Sequence, residues 1–337
     1  MSEMEDTQRQ GGPRVAILGA GGLGTAIAAG LWKKGRIFTL WTPEEDVAES
    51  LRTYQENVKY LPGIKIPKEV DVGTDLESVL DGAGTIVFTI PSELIRNVAR
   101  RCAAVIAHDA VLVIAAPGLE HPNLTRLSEV VSQEMPDPLK TRIAVISGPA
   151  LAFELGRGEP AGVDIASGDP AISRHVRSVF AMKRFRFKLR RDVAGLEAAS
   201  AFVDLYAVGA GICDGLGLGN NIKAALLTKA LNELVICSRA FGGKATTLYG
   251  LAGAGHLFAE SSSTHSRNRA LGEHAGQGHR VTEVPHGADS ITEGVAAAHN
   301  AHELAARNGL RLPLAETIYR ILNAQDKPEA IIKAALP

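Results

Sequence analysis

A glycine-rich segment near the start of the chain constrains the fold more than any other feature. Gly19, Gly21 and Gly24 have GxGxxG spacing, directly after an apolar run at residues 15–18 and before an alanine-rich helical stretch. The first glycine permits a tight turn, the second lets the backbone approach a pyrophosphate, and the third lets the helix pack on the strand. Free N–H groups at the helix start then bind the anion. The segment predicts a dinucleotide site rather than an unliganded glycine turn.

Short apolar runs alternate with longer helical stretches over the first half of the chain. The runs are continuous rather than alternating, which is typical of strands buried on both faces of a parallel sheet. The predicted strands cover residues 15–18, 37–41, 85–90, 111–115 and 143–146, with two more near 162–166 and 184–188. This pattern predicts an α/β Rossmann domain with a doubly wound, mostly parallel sheet.

The character of the sequence changes near Asp192. Ala, Leu and Gly dominate from there, β-branched runs disappear, and helical spacing continues to the C-terminus. We therefore predict a flexible polar leader at 1–13, a dinucleotide-binding Rossmann domain at 14–190 and an all-α substrate-binding and catalytic domain at 191–337. A chain of 337 residues is long enough for two such domains.

The end of the second predicted strand indicates which dinucleotide binds. Trp41 is followed by Thr42, Pro43, Glu44 and Glu45, and no Arg is present there to pair with a 2′-phosphate. An acidic side chain in this region suits the 2′-hydroxyl of the ribose. These residues favour NAD, with NADP as the alternative. Glu44 has a second interpretation, as the solvated start of the next helix.

Charge and hydrophobicity argue against several classes of partner. Lys plus Arg number 36 and Asp plus Glu number 37, so the chain has no overall attraction for nucleic acid or an anionic membrane. No run reaches about 18 uninterrupted apolar residues, and the segment after Met1 has no apolar signal core. We expect a cytoplasmic homodimer that contacts neither nucleic acid nor membrane.

The three cysteines are scattered along the chain. Cys102, Cys213 and Cys237 have neither CxxC spacing nor a histidine pair beside them. Free cysteine is among the most frequently buried residue types, so we predict buried thiols in a reducing compartment. Neither a disulfide framework nor a metal site is expected.

Further motifs occur in order along nearly the whole chain, from about residue 14 to 325. They are GAGGLGTAIA, Asn57 with YLPG at 60–63, IPS at 90–92, SGP at 147–149 with Ala152 and Glu154, GLE at 195–197, AGICDGLGLGNNIKAAL, GLAGAG ending at Gly255, SRNR at 266–269, and Glu293 with Gly294. Together they resemble the NAD(P)-dependent glycerol-3-phosphate dehydrogenase family. So many matches in one order make a chance similarity implausible.

The resemblance implies a Rossmann domain followed by an all-helical domain, with the substrate bound in the cleft between them. It assigns the cofactor to Gly19, Gly21, Gly22, Leu23, Gly24, Trp41, Pro91 and Glu293. It also implies that Arg267 and Asn268, with Ser266 beside them, grip the phosphate of a small anionic substrate. This role suits the residue types, because a guanidinium fork matches phosphate oxygens bidentately and an amide adds a neutral donor.

The chain departs from the family at positions that carry its chemistry. The family has a lysine in a K-G-hydrophobic-E segment, which here reads PGLE and places Pro117 at the lysine position. A second family lysine, followed by Asn, corresponds to Val203 and Asp204. A family Asp and a Thr four residues later correspond to His256 and Glu260. Ketone reduction needs a proton donor and a positive or hydrogen-bonding group at the developing alkoxide, and neither proline nor valine supplies one.

Four residues are candidates for the missing acid–base groups. His256 has an ordinary pKa of about 6.5, which suits proton transfer, and Asp204 is a candidate carboxylate to orient it. Tyr206, one helical turn beyond Val203, and Lys223 are reserve candidates. A lone histidine in a glycine loop is otherwise more often a surface residue or a locally hydrogen-bonded one.

Three functional hypotheses follow from the retained cofactor loop and the lost lysines. The first is an NAD(P)H-dependent dehydrogenase with relocated acid–base groups. It would act on the CH–OH of a different small phosphorylated or phosphonylated ketone or alcohol, for example 2-oxopropylphosphonate in a specialised biosynthetic pathway. The second is a catalytically silent nucleotide-binding protein. The third is the ordinary glycerol-3-phosphate dehydrogenase reaction, with the required groups supplied by neighbouring residues.

Overall fold

The central sheet of the protein lies in the first half of the chain. The computed structural model describes residues 14–32, 38–181, 184–280 and 293–336, which leaves the predicted leader outside the described residues. The strands within that part are β1 (Arg14–Leu18), β2 (Phe38–Trp41), β3 (Glu56–Asn57), β4 (Leu61–Lys65), β5 (Asp71–Gly73), β6 (Ala83–Phe88), β7 (Val111–Ile114), β8 (Leu119–Glu120), β9 (Thr125–Arg126), β10 (Ile143–Ser147), β11 (Ala161–Ala166) and β12 (Phe185–Arg190). Eight of them form one sheet in the order β12-β11-β10-β7-β6-β1-β2-β5.

The predicted α/β class with a mostly parallel sheet is confirmed. Every neighbouring pair in the large sheet is parallel except β10 with β11. Each predicted strand overlaps an observed one, although residue 37 lies outside the described residues. Two small antiparallel ribbons, β3 with β4 and β8 with β9, were not predicted, because strands of two to five residues carry too little periodicity.

Helices cover the sheet and then form the second half of the chain. Those of the first half are α1 (Gly22–Trp32), α2 (Glu45–Tyr54), α3 (Leu76–Leu80), α4 (Ser92–Ala103), α5 (Leu127–Glu134), α6 (Asp137–Lys140), α7 (Ala152–Gly156) and α8 (Pro170–Phe180). Those of the second half are α9 (Val193–Gly215), α10 (Asn220–Ala240), α11 (Ala245–Leu248), α12 (His256–Ser262), α13 (Arg267–Gly276), α14 (Glu293–Asn308), α15 (Pro313–Leu322) and α16 (Ala330–Ala335). A π-helical turn at Leu251–Gly255 leads directly into α12.

Helix α9 is the axis of the helical half. Nineteen consecutive residues, from Gly195 to Cys213, are buried, so α9 has no polar face. By length and composition it is the one helix among the described residues that could cross a membrane, and its apolar window is entirely buried inside the fold. A helix that is hydrophobic all round and covered on all sides is typical of a core helix.

Buried Glu197 joins α9 to the first half of the chain. Its carboxylate accepts hydrogen bonds from the Ser128 backbone N–H at 2.7 Å, the Ser128 hydroxyl at 2.6 Å and the Arg126 guanidinium at 2.8 Å. The expected domain boundary at 190/191 falls between the end of β12 and the start of α9. Across it, one hydrophobic core cluster contains residues of both halves.

A glycine seam brings α9 and α13 into backbone contact. It consists of Gly211 and Gly215 on α9 and Gly272 and Gly276 on α13. A Cβ at Gly211 would lie 1.9 Å from the carbonyl oxygen of Arg269, and one at Gly272 would lie 1.9 Å from that of Val208. Any side chain in the seam would therefore force the helices apart. The seam fixes the distance between two helices that both carry candidate site residues.

The three cysteines are free and buried, as their scattered positions predicted. Burial raises the pKa of the Cys102 thiol to about 12 and that of Cys213 to about 11. Because the thiolate is the reactive form, both side chains behave as packing residues.

Candidate active site

Several motifs meet at the carboxyl edge of the sheet because their strands run parallel. The backbone N–H of Gly19 donates to Trp41, that of Thr89 to Leu18, and that of Ala115 to Phe88, each at 2.9–3.0 Å. The backbone hydrogen bonds between these strands thus continue one residue past the strand ends. The glycine loop, the segment with Pro91 and the segment with Pro117 all leave the sheet at this edge. Ligands of open α/β sheets bind at this edge.

The glycine loop has the shape that a dinucleotide requires. Gly19 has a φ of +116°, which L side chains rarely adopt, and a Cβ at Gly24 would lie 1.9 Å from the Gly19 carbonyl oxygen. A Cβ at Gly21 would meet no protein atom within 4 Å, so this backbone faces open space. Helix α1 then begins at Gly22, followed by Leu23. The loop combines a tight turn, close helix–strand contact and an exposed helix start, which is the arrangement that binds a pyrophosphate.

The residues after β2 form an ion-paired surface. Trp41 is buried, and its Nε1 donates to the Thr74 carbonyl oxygen at 2.9 Å, so its ring is committed to packing. The Glu44 carboxylate pairs with the Lys59 ammonium and accepts from the Tyr60 hydroxyl at 3.0 Å. Glu44 is therefore more than a solvated helix start, although it also precedes α2. Sequence reasoning missed Lys59 and Tyr60, which the β3–β4 turn brings to Glu44.

Three of the rewritten positions converge in the helical half. Asp204 projects from α9, while His256 and Glu260 lie one turn apart on α12. One donor atom from each of the three side chains lies within 4.8 Å of those of the others. The nearest His256 and Glu260 atoms, Nε2 and Oε1, are 3.8 Å apart. The structure thus brings together the predicted His256–Asp204 pair and adds Glu260. The spacing of Glu260 four residues after His256 is the sequence signal that could have identified Glu260 as a third member.

A buried aspartate fixes the turn that presents His256. Asp164 on β11 is fully buried, pairs with Arg190 at 2.9 Å and accepts from the Ala252 N–H at 3.2 Å. The π-helical turn is tight enough that a Cβ at Gly253 would lie 2.0 Å from the Leu248 carbonyl oxygen. Single π-helical turns are frequent at functional sites, and here the turn sets the start of α12.

The three side chains of the cluster perturb one another electrostatically. Burial and the nearby Glu260 charge raise the pKa of Asp204 to about 8. Burial opposes the charged form of His256, but contact with Glu260 and the Asp204 charge outweigh it and raise the His256 pKa. Burial opposes ionisation of Glu260 as well, yet His256 and the Ser266 hydroxyl lower its pKa. Strongly perturbed groups gathered in one place are typical of functional sites.

The predicted phosphate-binding motif lies beside this cluster. The Ser266 hydroxyl caps α13 by accepting from the Arg269 N–H at 3.1 Å, and it donates to Glu260 Oε2 at 2.6 Å. The Arg267 side chain is 59% exposed and pairs with Glu293 at 3.0 Å. Asn268 is buried, and its Oδ1 accepts from the Gly294 N–H at 2.9 Å. The motif therefore presents a guanidinium to solvent next to the buried carboxylates.

The two reserve candidates lie in other polar clusters. The Tyr206 hydroxyl is fully buried and donates to Glu233 at 3.1 Å, and Glu233 also accepts from backbone N–H groups at the start of α15. The Lys223 ammonium donates to Asp214 at 2.8 Å, and Asp214 pairs with Arg269 as well. Both side chains are committed to partners in the helical core, which favours structural over catalytic roles.

Replacing Tyr206 with Phe should lower stability and leave turnover unchanged. The change removes a hydrogen bond to a buried carboxylate, which is worth about 1.5–3 kcal/mol. Chemical denaturation of Tyr206→Phe and wild type, beside steady-state assays of both, checks this. If Tyr206→Phe keeps the stability of the wild type but loses turnover, Tyr206 has a catalytic role.

The comparisons with known proteins agree over both halves of the chain. Residues 14–173 match the family described as NAD-dependent glycerol-3-phosphate dehydrogenase N-terminus, and residues 192–333 match its C-terminus. A glycerol-3-phosphate dehydrogenase (NAD(P)+) from Moorella thermoacetica is 38% identical over 322 residues, covering 96% of this chain and 95% of the relative. A glycerol-3-phosphate dehydrogenase structure from Coxiella burnetii has a TM-score of 0.89 at 33% identity, covering 95% of this chain and 98% of that one.

Proposed function

Because this chain belongs to the NAD-dependent glycerol-3-phosphate dehydrogenase family, we propose that it reduces a small phosphorylated ketone to the corresponding alcohol, and catalyses the reverse. Its relatives are NAD(P)-dependent dehydrogenases that act on a CH–OH group. Their names favour glycerol 3-phosphate, and its oxidation at C2 gives dihydroxyacetone phosphate, so these two compounds are the first pair to test. The family membership thus moves the ordinary reaction ahead of the altered substrate that the lost lysines suggested.

The nicotinamide cofactor fits the edge of the sheet. The open backbone at Gly21 and the start of α1 suit its pyrophosphate, and Pro91 follows β6 at the same edge. The reduced nicotinamide, when bound, supplies the hydride. The Glu44 carboxylate suits a ribose 2′-hydroxyl and favours NAD, whereas the paired Lys59 keeps NADP as the alternative.

The contact between Ser266 and Glu260 carries the proposal. This 2.6 Å hydrogen bond joins the phosphate-binding motif to the cluster of Asp204, His256 and Glu260. A phosphate held by Arg267 would place the remainder of a three-carbon substrate near groups that can hold and move a proton. Proximity of an anchoring group to an acid–base group is what converts binding into catalysis.

The lost lysines favour a second candidate within the same substrate class. Val203 is fully buried and aliphatic, and Pro117 lies in the loop after β7, so neither supplies the ammonium of the family. Such a site suits a phosphorylated ketone other than dihydroxyacetone phosphate. Neither the contacts of the structure nor the relatives support a phosphonate in particular, or a catalytically silent protein.

An assay of reduced-cofactor oxidation tests the proposal. Dihydroxyacetone phosphate and a panel of phosphorylated and phosphonylated ketones are supplied with NADH and, separately, with NADPH. Turnover of dihydroxyacetone phosphate supports the first candidate, and turnover restricted to another ketone supports the second. Cofactor binding with silence across the panel would refute the proposed function.

Arg267→Lys should raise the KM for the phosphorylated substrate about tenfold, and Arg267→Ala up to about a hundredfold. A point charge cannot reproduce the bidentate fork, and a charge-assisted hydrogen bond is worth about 1.5–3 kcal/mol. Arg320→Lys is a matched control, because Arg320 is also half-exposed and paired with a carboxylate, Asp326. An unchanged KM in Arg267→Ala would show that the phosphate binds elsewhere.

A further inference from the structure

The cluster of Asp204, His256 and Glu260 offers the donor set of a metal site. We propose that these three side chains bind one divalent first-row metal ion. A second step rests on the proposed function. In that step the ion supplies a positive charge beside the substrate oxygen, in place of the lysine of the family. One imidazole nitrogen with two carboxylate oxygens suits zinc, iron(II) or manganese(II), whereas calcium and magnesium prefer oxygen ligands alone.

The geometry is close to what such an ion requires. The three donor atoms lie within 4.8 Å of one another. Bonds of about 2.0–2.2 Å to a shared ion need donor separations of roughly 3.4 Å, so modest side-chain rotations close the site. His256 and Glu260 stand at i and i+4 on α12, and helices commonly present two metal ligands at this spacing. Asp204 on α9 faces them from the opposite side.

The bonding state of the cluster is the independent observation that points to a ligand. Asp204 is only 7% exposed, and within the described part of the chain its carboxylate has no hydrogen bond. The Nδ1 atom of His256 is buried without a partner. A largely buried carboxylate without a hydrogen-bond donor is stabilised in its ionised form by a nearby positive charge. A dication bound by the Asp204 carboxylate and by one ring nitrogen of His256 would supply that charge.

Neighbouring residues orient the site and limit its charge. The Ser266 hydroxyl binds Glu260 Oε2, which leaves Oε1 on the side of His256. Such contacts behind a ligand are typical of metal sites and hold the ligand in position. The charged neighbours are Arg267 and Glu293, which pair with each other at 3.0 Å. Arg267 therefore adds little repulsion towards a cation while it remains paired.

A cation here would restore the positive charge that is absent because Val203 and Pro117 stand at the lysine positions of the family. During reduction, a hydride from the reduced cofactor adds to the carbonyl carbon, and the π electron pair moves to the carbonyl oxygen. A cation beside that oxygen would stabilise the negative charge, and a proton delivered from solvent would complete the alcohol. Lewis-acid stabilisation of this kind is worth several kcal/mol of the barrier.

Metal titration of the full-length protein tests the site independently of activity. The protein is stripped with a chelator, transferred to chelator-free buffer and titrated calorimetrically with Zn²⁺, and cobalt(II) absorption reports the coordination. We expect one ion per chain at this site, with affinity lowered at least about tenfold in Asp204→Asn and in Glu260→Gln. Both changes keep side-chain size, and thermal denaturation checks that the variants are folded.

A second histidine–carboxylate group provides the matched control. His121, His299 and Glu303 also have donor atoms within 4.8 Å of one another, but the two histidines are exposed. His299→Ala should leave the titration of the buried site unchanged. No stoichiometric binding by the wild type, or wild-type affinity in both Asp204→Asn and Glu260→Gln, would overturn the proposed metal site.

Turnover separates the two levels of the proposal. Loss of turnover in the stripped protein and its return with Zn²⁺ or Mn²⁺ supports the catalytic role of the ion. Full turnover without metal would overturn that role and leave the dehydrogenase proposal intact. Metal binding that depends on Asp204 and Glu260, with no turnover of any phosphorylated ketone, would refute the proposed function and support the site.

Discussion

Replacing His256 with Ala should lower kcat by about 10²–10³-fold, while affinity for the reduced cofactor stays unchanged. Removing one preorganised group from a developing oxyanion typically costs a factor of this size. His256 lies in the cluster that adjoins the phosphate-binding motif, and the cofactor loop is formed by the other half of the chain. The separation of the two regions is why the change should affect turnover and not cofactor binding.

His302→Ala is the matched control for this experiment. His302 also pairs with a glutamate, Glu316, at 2.6 Å, and its ring stacks on Tyr319 at 4.2 Å between centroids. The control should therefore lose an ion pair and a ring contact without losing turnover. If His256→Ala and Asp204→Asn both turn over at the wild-type rate, the cluster has no part in the chemistry.

Substituting Gly21 with Val should weaken cofactor binding about ten- to hundredfold without unfolding the protein. The new side chain would meet no protein atom near its Cβ but would occupy the space through which the backbone approaches a pyrophosphate. Overpacking of this kind costs about 1–3 kcal/mol, which corresponds to roughly a ten- to hundredfold loss of affinity. Calorimetric titration with NADH and NADPH, beside thermal denaturation, measures both quantities.

Two further glycine changes show whether the effect is local. Gly168→Val adds the same side chain at another position with open space, away from the glycine loop. It should change neither the cofactor affinity nor the melting temperature. Gly24→Val should lower the melting temperature, because its Cβ would lie 1.9 Å from the Gly19 carbonyl oxygen. Wild-type cofactor affinity in Gly21→Val would show that the pyrophosphate does not bind at this loop.

The fold was predictable wherever the local sequence pattern of one segment indicates its secondary structure. Buried parallel strands appear as continuous apolar runs, and the GxGxxG loop fixes the first strand–helix unit. The two short ribbons were not predictable, because β8 and β9 have two residues each and owe their pairing to surrounding loops. Helix α9 lacks an amphipathic pattern, since packing buries it on every side.

The candidate site was only partly predictable, because its members are distant in sequence. Asp204 and His256 meet only through the packing of α9 against α12, which no local pattern encodes. Tyr206 lies one turn from Val203 but about 200° around α9 from Asp204, so a pattern read from Val203 does not lead to the Asp204 cluster. The expectation of no metal site rested on cysteine spacing, whereas the proposed metal site rests on a histidine and two carboxylates that only the fold brings together.

The glycine seam between α9 and α13 restricts how the protein can move. Peptide groups in direct contact cannot slide past one another as long side chains can, because any shift drives a carbonyl oxygen into the opposing backbone. Asp204 and the Ser266–Asn268 motif therefore travel together. Any movement of the phosphate-binding motif relative to the sheet must therefore carry Asp204 with it, and buried Glu197 on the same helix resists such a movement.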